Sequence, residues 1–171
     1  HRPPDDRFLT MVPSARRLPD SPGQFFDTSQ SPMNPYNIGY DFFVYGTLLP
    51  GEANYPLWRE AISDQRPAVL RSARLYDLGD FPMLVDAADG EARGLLVRVR
   101  PSSYRAALWL LDQLEGVDLA GWGGLGFRRV RRIVRPWGAP AAVAWVYVGR
   151  PVAVAGLSPI GPDWKAYCRR A

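Results

Sequence analysis

Residues 42–51 read Phe42-Phe43-Val44-Tyr45-Gly46-Thr47-Leu48-Leu49-Pro50-Gly51. The first four are aromatic or β-branched, and such a continuous apolar run is typical of a strand buried on both faces. Gly46 ends the run, and the turn that follows takes the backbone out of the sheet with its N–H groups unpaired. This exit offers amide donors and the Thr47 hydroxyl to an anionic or carbonyl oxygen. The alternative is a plain core strand that ends in a turn.

The composition limits the classes of protein to which this chain can belong. Its 171 residues suit one domain, and 47% hydrophobic with 12% aromatic residues indicate a globular fold. No apolar run approaches the roughly 20 residues of a membrane-spanning helix, and no segment resembles a signal peptide. The single cysteine, Cys168, cannot form an internal disulfide, which favours a reducing compartment. We therefore expect a soluble, cytoplasmic enzyme or binding domain.

Arginine supplies almost all of the positive charge. The formal net charge is +4, and Lys165 is the only lysine. Five arginines fall in the predicted strand 127–135, where alternation places Arg129, Arg131 and Arg135 on one face and the other two opposite. Such a basic stripe could bind nucleic acid. Pairing with neighbouring acids is the simpler interpretation, and we expect no nucleic-acid partner.

Missing residue types narrow the chemistry further. His1 is the only histidine, which excludes a Ser-His-Asp or Cys-His arrangement within this chain. No cluster of cysteine and histidine offers a zinc site. The glycine-rich segment 121–126 lacks the Lys-Ser/Thr end of a phosphate loop and is interpreted as a connector. We expect no metal and no cofactor, so proton transfer falls to Asp, Glu or Tyr.

Residues 1–40 differ in composition from the rest of the chain. They hold seven of the seventeen prolines and no periodic hydrophobic pattern, which predicts an extended arm. The arm either packs on the domain or reaches a second copy in a homodimer. One domain is expected over residues 41–171.

The patterns beyond the arm predict a mixed set of strands and helices. They are a strand at 42–45, a short helix from Pro56, a strand at 67–77, an edge strand at 81–85, a hairpin turn at Asp89-Gly90, a returning strand at 94–100, a helix at 104–115, a hairpin of strands 127–135 and 141–148, and a terminal helix at 163–169. The strand at 81–85 is assigned to an edge of the sheet because Pro82 has no N–H group to donate to a hydrogen-bonded neighbour on a second side.

The longest predicted helix, residues 104–115, follows a capping segment at 101–103 and stops before Gly116. A period of 3.6 residues places four side chains in one stripe: Tyr104, Leu108, Leu111 and Glu115.

This stripe directs the Glu115 carboxyl towards the apolar side of the helix, at its C-terminus. Burial, the helix dipole and the nearby Asp112 all disfavour the ionised form. A carboxyl with a raised pKa is a candidate general acid or base near neutral pH. The alternatives are that Glu115 turns outward or pairs with an arginine of segment 128–135.

Four segments of the chain occur in the order and approximate spacing of a known family. They are Tyr45-Gly46-Thr47-Leu48, Phe81-Pro82, Gly94 and Leu111-Asp112-Gln113-Leu114-Glu115-Gly116. Together they resemble the γ-glutamylcyclotransferase-like (AIG2-like) family, whose signature is Tyr-Gly-Ser/Thr-x-Leu on the first strand and Leu-Asp-x-x-Glu-Gly at a helix end. The resemblance covers residues 41–167. It implies an α+β fold, a compact mixed β-barrel flanked by helices, with a cavity between the first strand's exit loop and the glutamate helix.

The resemblance also implies an enzyme and its site. The positions that match the family's substrate loop are Tyr45, Gly46, Thr47 and Leu48, and the family's catalytic glutamate matches Glu115. The reaction is intramolecular aminolysis, in which the substrate's α-amine attacks its own γ-carbonyl, 5-oxoproline forms and an amine leaves. The substrate is therefore a small γ-glutamyl molecule, and its cyclisation needs no metal. This agrees with a chain that has no usable His or Cys.

Three features of the chain bear on the substrate. Phe127 stands where the family usually has Tyr, the connector 116–126 is long, and Trp164 matches an aromatic residue that often borders the pocket. The leaving group could belong to a γ-glutamyl amino acid, a γ-glutamyl amine, glutathione or a γ-glutamylated natural product. A non-catalytic protein that binds small molecules with the same fold is the alternative.

Overall fold

The computed structural model describes residues 39–117 and 126–170. The predicted arm therefore lies outside the described residues except for its last two. The elements in chain order are β1 (Asp41–Val44), β2 (Ile62–Asp77), β3 (Pro82–Val99), α1 (Tyr104–Leu114), β4 (Phe127–Pro136), β5 (Ala142–Gly149) and α2 (Trp164–Cys168). Short 3₁₀ turns occur at Tyr55–Leu57, Arg59–Ala61, Pro101–Ser103 and Pro151–Val154.

The five strands form a closed mixed barrel in the order β1-β3-β2-β4-β5. Neighbouring strands are antiparallel except β1 and β5, which pair in parallel and close the barrel. Closure gives each of the five described strands a paired neighbour on both sides. The predicted fold class, a mixed β-barrel with flanking helices, is confirmed.

Strand β1 is buried on both faces, as its apolar run predicts. Phe42 packs in a cluster that includes α1 residues such as Leu108 and Leu111, between the barrel and the helix. Phe43 packs in a second cluster contributed by all five strands, which fills the barrel interior. Both phenylalanines are fully buried, so β1 joins the two halves of the core.

Strand β3 is one long strand where the sequence predicted two strands paired in a hairpin. Residues 82–86 pair with 73–77 of β2, and residues 91–99 pair with 62–71 of the same strand. The Asp89-Gly90 signal falls where the register of β3 shifts against β2, with Gly90 at φ +95°. The predicted hairpin is wrong because both segments bond to β2 rather than to each other.

The helix predicted from Pro56 is replaced by two consecutive 3₁₀ turns. The chain has to enter β2 at Ile62, five residues earlier than predicted, so no room is left for a longer helix. Trp58, between the turns, is buried and donates its indole N–H to the Leu48 carbonyl at 3.3 Å. Leu57, by contrast, points outward and is 55% exposed.

Helices α1 and α2 match their predictions closely. Four residues of α1 are buried: Tyr104, Ala107, Leu108 and Leu111. Residues 101–103 form a 3₁₀ turn ahead of α1, and Ser103 makes no capping bond, contrary to the expected cap. Asp163 caps α2 by accepting the Ala166 N–H at 2.8 Å. Among the described helices, none is long and apolar enough to cross a membrane.

Candidate active site

A cavity of about 230 Å³ opens where the exit loop of β1 meets the end of α1. Its polar and aromatic lining comprises Phe43, Tyr45, Thr47, Asn54, Asp80, Phe81, Glu115, Phe127 and Tyr147, with Gly46 and Leu48 completing the predicted loop. The fold thus brings the Tyr-Gly-Thr-Leu segment and the glutamate, about seventy positions apart in sequence, to one cavity.

The exit loop is a tight turn that leaves amide donors without partners. The Leu49 N–H donates to the Gly46 carbonyl at 3.0 Å and closes the turn. Asn54 donates its backbone N–H to the Thr47 carbonyl at 2.9 Å and its Nδ2 to Thr47 Oγ1 at 3.1 Å. Within the described part of the chain, no backbone carbonyl accepts the N–H of Thr47 or Leu48. Both groups can therefore donate to a ligand oxygen.

Close packing of neighbouring segments explains why glycine occupies positions 46 and 94. A Cβ at Gly46 would lie 2.6 Å from Pro82 Cγ, and a Cβ at Gly94 would overlap the Val44 carbonyl oxygen. The proline ring and the carbonyl cannot move aside as a flexible side-chain end can. Glycine at position 46 lets the exit loop approach β3, and Gly46 and Pro82 form part of the cavity wall. Glycine at position 94 lets β3 approach the end of β1.

Glu115 caps the C-terminus of α1, is partly exposed and lines the cavity. Across residues 39–117 and 126–170, its carboxylate has no hydrogen-bond or ion-pair partner, so the alternative of an arginine partner is not found. Burial, and secondly the Asp112 carboxylate, raise the pKa of Glu115 to about 7. The direction agrees with the sequence analysis, and the carboxyl is half-protonated near neutral pH.

A partly buried polar network near Glu115 was not predicted from the sequence. The Arg129 guanidinium lies 2.5 Å from Asp112 Oδ2, with side chains only 8% and 15% exposed. The Tyr147 hydroxyl donates to Asp112 Oδ1 at 2.8 Å, and the Tyr45 hydroxyl donates to the Tyr147 carbonyl at 2.7 Å. Burial, and then the charge of Glu115, raise the pKa of Tyr45, which stays a neutral donor. The network fixes the residues around the glutamate.

Two aromatic rings form the apolar wall of the cavity. Phe81 and Phe127 have ring centroids 5.9 Å apart, and Phe127 is buried. Asp80 also lines the cavity and is exposed. Because residue 127 is phenylalanine rather than tyrosine, the wall has no hydroxyl group at this position.

Trp164 does not line this cavity, contrary to the prediction. Asp163 caps α2, and the first helical residue, Trp164, turns into the interior with 5% exposure. Its ring stacks on Tyr167 at 5.8 Å. Helix α2 is tied instead to the far end of the exit loop, because Lys165 Nζ donates to the Pro50 carbonyl at 2.6 Å.

The arginine-rich strand β4 is partly paired with acids on neighbouring elements. Arg132 binds Asp86 at 2.6 Å, in addition to the pair of Arg129 with Asp112. Arg131 lies 5.7 Å from the Tyr40 ring centroid. These contacts favour the interpretation that the arginines of β4 form a solvated strand face and pair with neighbouring acids.

Comparisons with known proteins place the chain beside one family. The family model described as gamma-glutamyl cyclotransferase, AIG2-like, matches residues 42–166. Among curated proteins, none matches significantly.

Several solved structures share the fold. An AIG2-like protein of Mus musculus has a TM-score of 0.58 and 17% identity, covering 72% of this chain and 86% of its own. A uropathogenic E. coli-specific protein has a TM-score of 0.53 and 14% identity, covering 77% and 97%. A protein of Arabidopsis thaliana has a TM-score of 0.52 and 24% identity, covering 77% and 73%. At these identities the likeness shows the fold alone.

Proposed function

The chain belongs to the gamma-glutamyl cyclotransferase, AIG2-like family, and we propose that its cavity converts the γ-glutamyl group of a γ-glutamyl amide to 5-oxoproline. One observation carries the proposal. Glu115, Thr47 and Leu48 line the same cavity. Among the described residues, the Glu115 carboxyl and the N–H groups of Thr47 and Leu48 have no hydrogen-bond partner. A proton acceptor and two oxyanion donors are the groups that an intramolecular aminolysis needs.

Glu115 moves the protons of the reaction. As a carboxylate it takes a proton from the substrate's α-ammonium, and the freed amine attacks the γ-carbonyl carbon. The new carbon–nitrogen bond closes a five-membered ring, and the bond from the same carbon to the leaving nitrogen breaks. Glu115 gives its proton to that nitrogen as the bond breaks. The ring nitrogen then loses its second hydrogen to the same carboxylate, which passes this proton to the released amine. The amine leaves as an ammonium ion, and Glu115 is again a carboxylate. A pKa of about 7 suits both steps near neutral pH.

The exit loop holds the carbonyl and stabilises the charge that develops on it. The N–H groups of Thr47 and Leu48 would donate to the γ-carbonyl oxygen as it becomes an oxyanion, a contribution typically worth ~3 kcal/mol per donor. Ring closure is already unimolecular, so the remaining task is to hold a cyclisable conformer. No metal ion and no cofactor enters the reaction in this form.

The size of the cavity bears on which part of the substrate is recognised. Its volume of about 230 Å³ is below the roughly 300–1,000 Å³ of typical small-molecule pockets. We expect the cavity to enclose the γ-glutamyl group and to leave most of the amine portion outside.

Product analysis on a panel of γ-glutamyl amides tests the reaction class. The panel includes a γ-glutamyl amino acid, a γ-glutamyl amine and glutathione, and 5-oxoproline, glutamate and free amine are quantified by mass spectrometry. We expect equal amounts of 5-oxoproline and amine. Release of glutamate instead would indicate hydrolysis and contradict the proposal. Binding of panel members without any product would support the non-catalytic binding protein.

A further inference from the structure

A second cleft, of about 490 Å³, shares no lining residue with the candidate active site. It begins at the next two residues of the same exit loop, Leu49 and Pro50, and is bounded by β2, β3, the tip of the β4–β5 hairpin and α2. The proposed reaction makes no use of this cleft.

The charge of the cleft lining is unbalanced. Arg93, Lys165 and Arg169 contribute three cations, and Asp163 is the single acid among the lining residues. The Asp163 carboxylate is already engaged as the cap of α2. The excess of positive charge over a concave surface favours a negatively charged ligand.

The three cations differ in how they are held. Lys165 is fixed at the wall by its 2.6 Å bond to the Pro50 carbonyl, which leaves further ammonium hydrogens for a ligand. Arg93 pairs with Glu91 at 3.0 Å, with side chains 55% and 38% exposed, and so weak a surface pair can exchange partners. Within the described ranges, the Arg169 guanidinium has no carboxylate partner.

An exposed indole stands on the same cleft. Trp137 is 72% exposed at the tip of the β4–β5 hairpin, and its backbone N–H donates to the Pro67 carbonyl of β2 at 2.9 Å. This bond fixes the tip against the barrel, while the ring is left without cover. A large exposed aromatic ring beside cations is suited to stacking on a flat group.

We propose that this cleft binds a small ligand that carries both an anionic group and a planar apolar part. The anionic group lies on Arg93, Lys165 and Arg169, and the planar part stacks on Trp137. Because the site is separate from Glu115, the proposal stands independently of the cyclisation reaction.

Three probes separate the two contributions: AMP carries both groups, adenosine only the plane and inorganic phosphate only the anion. Isothermal titration of the full chain at low salt should show AMP binding more tightly than either. Trp137→Ala and Arg169→Gln should each weaken AMP binding about tenfold, since a stacked base or a charged hydrogen bond contributes energy of that order. Arg169→Gln should also weaken phosphate binding, whereas Trp137→Ala should not.

Matched variants outside the cleft complete the test. Trp109→Ala and Arg105→Gln remove an exposed tryptophan and an exposed arginine from α1, and Glu115→Gln alters the first cavity. All three should leave AMP affinity unchanged. The proposal is overturned if AMP does not bind at millimolar concentration or binds no tighter than phosphate. It is equally overturned if the cleft variants, folded by circular dichroism, behave like these controls.

Discussion

Asp112 and Glu115 share one end of α1, but among the described residues only Asp112 has a hydrogen-bond or ion-pair partner. Arg129 and Tyr147 hold the Asp112 carboxylate in place, and its charge opposes ionisation of the neighbouring Glu115. Asp112 is therefore a positioning residue in the proposed reaction, acting on the charge of Glu115 rather than on the substrate.

Replacing Asp112 by Asn should lower the pKa of Glu115, because the negative charge that opposes its ionisation is lost. The acidic limb of the pH profile of kcat/KM for 5-oxoproline release should then move to lower pH. Asp86→Asn, which breaks the exposed pair with Arg132, is the control and should leave the profile in place. An unchanged or upward-shifted limb in Asp112→Asn would contradict this role.

The residues of the site differ in how well the sequence predicts their positions. Glu115 was predictable because a helix period and a motif both point to it. The bond from Tyr147 to Asp112 spans 35 positions and depends on the register of β5 against its neighbours, which no local pattern contains. Trp164 was misplaced for a similar reason, since the orientation of a five-residue helix is set by its tertiary contacts.

At the scale of elements, the contact between β1 and β3 shapes the wall of the cavity. Gly94→Ala should destabilise the protein by more than about 2 kcal/mol, because the added Cβ overlaps the Val44 carbonyl and the backbone must shift. Denaturant unfolding measures the loss. Gly161→Ala is the matched control, with its nearest neighbouring atom 3.9 Å from the new Cβ. Equal midpoints for the two variants would show that the close approach is not needed.

Elements defined by local signals were predicted well. Helix α1 and the β4–β5 hairpin are marked by periodicity and by the turn at Pro136–Gly138, and the structure has both. The length of β3 was not predicted, because the pairing of β3 with β2 along nearly its whole length overrides a local turn signal. A two-residue signal such as Asp89-Gly90 cannot reveal which strand its flanks will pair with.

Across the whole molecule, the raised pKa of Glu115 links stability to pH. The folded state holds this proton with a pKa of about 7 against an ordinary value of 4.5. The contribution of protonated Glu115 to the free energy of unfolding is therefore present below pH 4.5 and is lost as the pH rises towards 7. The loss is at most about 3 kcal/mol.

Urea unfolding at pH 5 and pH 8 checks the direction of this pH dependence of stability. The wild-type protein should lose more of its free energy of unfolding over this range than Glu115→Gln, which cannot ionise at that position. If the two proteins change in parallel, Glu115 does not titrate with a raised pKa in the folded state.

The barrel as a whole was predictable only through the resemblance. Its closure rests on two short contacts, the pairing of β1 with β5 at Asp41 and Phe42 and the pairing of β2 with β4 at Ala68 and Val69. Neither contact has a local signature, because parallel pairing and strand order are decided by how the core packs around β1.

The catalytic role of Glu115 is the central claim, and turnover by Glu115→Gln tests it most directly. The preferred γ-glutamyl amide is assayed for 5-oxoproline release with the wild type, with Glu115→Gln and with Glu60→Gln, whose side chain is 85% exposed. Loss of the proton acceptor should lower kcat by a factor of about 100 to 10,000, whereas Glu60→Gln should match the wild type. Wild-type turnover by a folded Glu115→Gln protein would contradict the mechanism.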